Sequence, residues 1–184
     1  KYRDRREIAK WRSPIKTEHI RHSIESAIAY LDEHPEKSHY TDSPATAVIE
    51  GLKARVTGPG GTSVISDMPE GVGGRGSAPS PGWLLRAAIA SCDATVIAMR
   101  AAQERIDLSS LEVTVDSESD DRGILGMDDS VPAGPLRTSI RVKIAAEGVS
   151  AEKLREIVEW ADHHSPVSDA LQRAIPKTVE VEVN

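Results

Sequence analysis

The sequence has no phenylalanine, and its tryptophans and tyrosines together number six. An interior without many aromatic rings has to be assembled from Ala, Val, Ile and Leu. It buries little apolar area per residue and gains from a second subunit. There is one cysteine, which excludes an intramolecular disulfide and any metal centre built from several thiolates. No uncharged apolar run reaches the length of a membrane span, because the longest candidate is interrupted by Arg86 and Asp93. No secretory signal is legible near the amino end, so the expected compartment is the cytoplasm, which keeps thiols reduced. Positive charge is not in excess either. The formal net charge of −6 argues against general nucleic-acid binding, which needs a basic face. The local exception is residues 1–22, with eight Lys and Arg against three Asp and Glu. Such an arm reads first as a solvated segment and second as a contact for an acidic partner or nucleic acid.

What is present fits one domain with an extension. In residues 17–33, Ile20, Ile24, Ala27, Ile28 and Leu31 recur at helical spacing. Thr17 is placed to cap that helix and Pro35 to stop it. The polar, proline-containing stretch that follows reads as a linker. Residues 1–43 are therefore an amino-terminal helical extension and linker, and residues 44–184 the main domain. In the latter, AVIEGLKARVTG has strand character, TGPGG is a turn, and TSVISD is a second strand making a hairpin with the first. The Gly-rich MPEGVGGRGSAPS is either a cover or a connector.

A long helix follows over about residues 81–105, with Ser80 as its cap and Pro81 at its first position. Arg86, Asp93, Arg100 and Glu104 form one thin polar stripe on it, so protein should surround most of its circumference. LEVTVDSES and LRTSIRVKIAAE alternate in period two and read as half-buried strands. Ser150 caps a helix over 151–163, Ser165 and Pro166 start a short helix to about Arg173, and TVEVEV reads as a closing strand. Strands, long helix, strands, helices and a strand make an α+β fold rather than a regularly alternating one.

SPGWLLRAAIASC, then HHSPVSDAL, then the closing TVEVEV, resembles the OsmC/Ohr family of osmotically inducible and organic-hydroperoxide-resistance proteins. The loop RGILGMDDSVPAGP is similar to that of a longer OsmC-like subgroup. The resemblance implies an antiparallel sheet wrapped on a long central helix, and an intertwined homodimer. It also implies thiol chemistry on organic hydroperoxides, needing neither metal nor cofactor. Cys92 falls at the family's attacking cysteine. Ser165 falls at the resolving cysteine, Gly82 at the helix-start glutamate, and Gly60 near the activating arginine.

The residues themselves leave choices open. Cys92 sits among Leu85, Ala88, Thr95, Val96 and Met99. By composition it is a small core residue; by resemblance it is a nucleophile, which would need a nearby cation. Arg75 in the Gly-rich loop is the hypothesised stand-in for the missing activator, with Arg55 and Arg86 as other candidates. His164 could pair with the thiol or simply cap its helix end. Trp83 and Trp160 either fill the core or wall a pocket with Met99 and Ser165. Ser165 reads most simply as a helix cap. Two functions follow: a one-cysteine thiol peroxidase that depends on an external thiol reductant, and a non-catalytic dimer holding a small apolar molecule.

Overall fold

The computed structural model describes residues 17–183; the basic arm of residues 1–16 lies outside them. The elements in chain order are α1 (Thr17–Glu33), β1 (Thr46–Glu50), β2 (Lys53–Thr57), β3 (Ser63–Ser66), α2 (Pro81–Gln103), β4 (Leu108–Glu118), α3 (Asp121–Ile124), β5 (Arg137–Ala146), α4 (Ala151–His164) and α5 (Pro166–Gln172). The mixture is the expected α+β. The described chain divides into two compact units, residues 17–21, 91–113 and 142–183, and residues 22–90 and 114–141.

In the first unit, the carboxyl half of α2 and one face of α4 supply the core. Ile97 and Ala101 meet Leu108, Leu154, Ile157 and Ala161, with Val142, Ile144 and Val158 packed against them. Leu154, Ile157 and Ala161 recur at three and four residues, so α4 buries a single stripe. Ser150 caps α4, its hydroxyl oxygen accepting from the Lys153 N–H at 3.2 Å. At the start of α1, the Thr17 N–H and hydroxyl both donate to the Asp107 carboxylate.

In the second unit, β1, β2 and β3 form an antiparallel sheet in that order. The segment read as one strand is itself a hairpin. It turns at Gly51 and Leu52, where Gly51 has φ of 60°, the positive value a two-residue hairpin turn demands. Ala47, Val56 and Val64 lie in one cross-strand row and Ile49 and Ala54 in the next. One face of the sheet is therefore apolar, yet Ile49 remains 73% exposed.

β4 and β5 pair as a second, two-stranded sheet. They run antiparallel, with the Leu136 N–H donating to the Glu118 carbonyl near one end and Lys143 paired with Glu112 towards the other. α3, in the loop between them, is capped by Asp120, which also holds Arg122.

Two expectations are corrected. TVEVEV is not a strand, and its Val179, Val181 and Val183 stand exposed. Period-two alternation describes one side of a ladder, and among the described residues the other side is missing. Nor does this chain enclose α2. By length and composition α2 could cross a membrane. Its charged groups, however, are bonded to protein neighbours: Arg86 donates to Ser117, Asp93 accepts from Ser168, and Arg100 pairs with Glu104. It is Trp83 and Met99, at 49% and 41%, that are exposed. The helix buries Ile89, Ile97, Ala101 and Ala102 together with Asp93, and leaves Trp83, Ser91, Thr95 and Met99 on its outer side.

Candidate active site

Cys92 is a free thiol, partly buried, about three turns into α2. In this part of the helix Asp93, Ile97 and Ala101 turn into the core, while Ser91, Thr95 and Met99 face outward. The sulfur lies at the margin between the two, neither sealed in hydrocarbon nor fully open.

Beside it, Asp93 is buried and accepts a hydrogen bond from the buried Ser168 hydroxyl at 2.9 Å. Ser168 stands in the first turn of α5. That turn is capped by Ser165, whose hydroxyl oxygen accepts from the Ser168 N–H at 3.4 Å. Ser165 is completely buried. The Asp93–Ser168 bond thus fastens the turn carrying Ser165 to the turn of α2 carrying Cys92. These are the two segments the sequence singles out, although Ser165 itself performs the work of a cap.

His164 ends α4. Its Nδ1 bonds to the Trp160 carbonyl at 2.7 Å, as His163 does to that of Glu159. A carbonyl only accepts, so Nδ1 carries the proton. The imidazole lies stacked on Trp160, 3.9 Å between centroids, and the Arg100 guanidinium sits 4.6 Å from the Trp160 ring centre. Trp160 is half-buried under these two. Arg100 also pairs with Glu104, which Lys153 reaches too.

The remaining predicted residues belong to the second unit. Trp83 is in the first turn of α2, its N–H held by the Ser80 hydroxyl at 3.2 Å, so Ser80 is the cap expected. Arg75 is exposed, on the Gly-rich stretch after β3. That stretch closes on Asp67, a buried carboxylate that sequence reasoning missed. Asp67 accepts from the Ser77 N–H at 2.9 Å, the Ser77 hydroxyl at 2.8 Å and the Arg75 N–H at 3.4 Å. The Ser77 N–H and then its hydroxyl hold the Asp67 carboxyl below the usual aspartate range, against an opposing effect of burial. Asp93 and Ser168 were missed as a pair as well. Only the place of Asp93 in the polar stripe of α2 hinted that it has a partner. Among the described residues no cluster of three His, Cys, Asp or Glu is arranged to hold a metal ion.

The model of a family described as OsmC-like protein matches residues 74–180. Among solved structures, the chain is similar to an OsmC-like protein from Mycoplasma pneumoniae, with TM-score 0.62 and 15% identity over 73% of this chain and 89% of that one. It is similar to an OsmC-like protein of unknown function from Vibrio cholerae, with TM-score 0.60 and 13% identity over 71% and 94%. A third, an organic hydroperoxide resistance protein OsmC from Legionella pneumophila, gives TM-score 0.54 and 22% identity over 72% and 90%. At such identities the likeness is one of fold. No curated protein sequence matches the chain.

Proposed function

The chain belongs to the OsmC-like protein family, and from that premise we propose that it is a one-cysteine thiol peroxidase reducing organic hydroperoxides. One observation carries the reading: the sole thiol, Cys92, lies at the margin of an outward-facing stripe of α2 instead of inside the core. The substrate class comes by analogy from the name of the Legionella protein.

The reaction runs in two stages. The Cys92 thiolate attacks the outer oxygen of the hydroperoxide. An S–O bond forms, the O–O bond breaks, and the leaving alkoxide takes a proton to become the alcohol. Cys92 is left as a sulfenic acid, two electrons oxidised. The sequence holds no second cysteine, so an external thiol attacks the sulfenic sulfur, water leaves, and a second external thiol breaks the mixed disulfide to restore Cys92. A compartment that keeps thiols reduced, such as the cytoplasm, suits that cycle.

A Cys92 thiolate needs a cation, and Arg75 is the candidate the sequence offers; slower sulfenate formation in Arg75→Ala is the outcome this reading expects. His164 is the second basic group, its Nε2 left as the acceptor once Nδ1 donates to Trp160. In this reading Met99, exposed on the same helix as Cys92, offers apolar surface to the organic part of the hydroperoxide. The working form is a homodimer. The exposed Trp83 and Met99 on α2 and the apolar face of the first sheet would be covered by a second copy.

A second reading is a non-catalytic dimer holding a small apolar molecule. The role of Ser165 as a buried cap favours it, since no resolving group stands at that position. One experiment separates the two. Reduced protein is mixed with cumene hydroperoxide and followed by intact mass with sulfenate trapping, Cys92→Ser serving as control. The peroxidase reading expects one added oxygen at Cys92, formed more than about tenfold faster than on free cysteine. Oxidation no faster than that of free cysteine leaves the binding reading in its place.

A further inference from the structure

We propose that Asp67 is the positioning residue for Arg75: its buried carboxylate is the template on which the loop of residues 67–77 closes, and that closure fixes where Arg75 stands. The catalytic consequence rests on the reading above, in which Arg75 serves Cys92; the structural claim does not.

Asp67 follows β3 directly and is 2% exposed. A carboxylate removed from water needs donors, and this one takes all three named above from its own loop: two from Ser77 and one from the N–H of Arg75 itself. The backbone closes in parallel. The Gly76 N–H donates to the Met68 carbonyl at 3.0 Å, that of Gly74 to Pro69 at 3.1 Å, and that of Asp67 to Pro79 at 3.1 Å. Arg75 therefore sits between two glycines that are each tied across the loop, and its own N–H is tied to the carboxylate. Its backbone is fixed while its side chain is exposed.

Packing leaves no slack. A Cβ placed on Gly74 would come 1.8 Å from the Met68 carbonyl oxygen, so no other residue fits the closed loop. The glycines here allow a tight ring to form around a buried charge, and the residue carried at the apex of that ring is a guanidinium. Without the carboxylate the ring loses its central acceptor, and Arg75 becomes one exposed arginine on a glycine-rich tether, spread over many positions.

The test uses the full chain with Asp67→Ala, Asp67→Asn and Gly74→Ala, each checked by circular dichroism for retained fold. Limited trypsin digestion with mass spectrometry follows cleavage of the Arg75–Gly76 bond against the other Lys and Arg sites. Asp67→Ala and Gly74→Ala should speed that cleavage about tenfold or more, and Asp67→Asn, which keeps an acceptor oxygen, should do so less. Wild-type cleavage rates in Asp67→Ala overturn the proposal.

A second arm measures the rate of Cys92 sulfenate formation with cumene hydroperoxide. Asp67→Ala should lose as much rate as Arg75→Ala, and the double variant no more than either. Losses that multiply in the double variant overturn a role acting through Arg75. An Arg75→Ala variant as fast as wild type removes Arg75 from the reaction, and then the trypsin arm alone decides whether Asp67 holds the loop.

Discussion

Two buried aspartates carry most of the polar order at the scale of single residues, and they answer to different perturbations. Asp67 has its folded pKa depressed, first by the Ser77 N–H and then by the Ser77 hydroxyl. An ordinary carboxyl in the unfolded chain titrates near about 3.9. Its contribution is fully present above that value and is lost as pH falls through the lower folded value. Asp120, held by Arg122, and Asp128, held by Ser130, are depressed in the same direction. Urea unfolding at a series of pH values should therefore show stability falling below about pH 4, with a shallower fall in Asp67→Asn. An equal slope in both proteins rejects the assignment. Asp93 answers to its donor instead. Ser168→Ala leaves a buried carboxylate short of a hydrogen bond and should cost about 1–3 kcal/mol in urea unfolding at an unchanged m value. Neither aspartate was legible as a buried group. Cys92 and Ser165 sit in motifs that can be read along the chain, whereas Asp67 and Asp93 matter because of donors ten and seventy-five residues away. No local pattern encodes a distance of that kind.

At the scale of elements, legibility follows how local the determining interaction is. Three helix starts follow the sequence because a cap is decided within three residues, whereas Thr17, the cap expected for α1, lies inside that helix and donates its hydroxyl to Asp107. Ser80 bonds the Trp83 N–H, Ser150 that of Lys153 and Ser165 that of Ser168, as hydroxyls followed by helix formers allow. Ser150→Ala should lower stability by about 1 kcal/mol through α4 alone, seen as a lower thermal midpoint with α4 amides exchanging first. A global loss with no preference for α4 would contradict it. The β1–β2 turn is easily read through although Gly51 marks it between Glu50 and Lys53, because the strand pattern resumes at once with Ala54 and Val56. Two readings failed for a common reason. The TVEVEV alternation and the thin polar stripe of α2 each describe a boundary with something else, and the sequence does not name what that is. In α2 each charged group has its own partner and Asp93 is buried with it, so counting polar residues gives the width of the stripe but not what it meets.

For the whole molecule, the apolar surface left uncovered decides the argument. A chain with no phenylalanine still exposes Ile49 on its first sheet, Met99 and Trp83 on α2, and Val181 in the segment after α5. β1 and β3 are edges of their sheet, and residues 174–183 belong to no ladder among the described residues. Open edges and alternating apolar segments invite pairing with another chain, and a soluble protein manages that by occupying them. The proposed homodimer satisfies these features with one partner, and a stable interface would bury roughly 1,200–2,000 Å². Light scattering should then give a mass of twice 19.9 kDa at micromolar concentration, and the thermal midpoint should rise with protein concentration. Ile49→Lys and Val181→Lys place a charge on surfaces the dimer would cover, so each should shift the mass towards that of one chain while leaving helix content near wild type. In a single chain both side chains are already exposed, and the same substitutions would cost within about 0.5 kcal/mol. A monomer whose midpoint ignores concentration, and on which both lysine variants are silent, would mean these faces are tolerated in water, and the site at Cys92 would have to work within one chain.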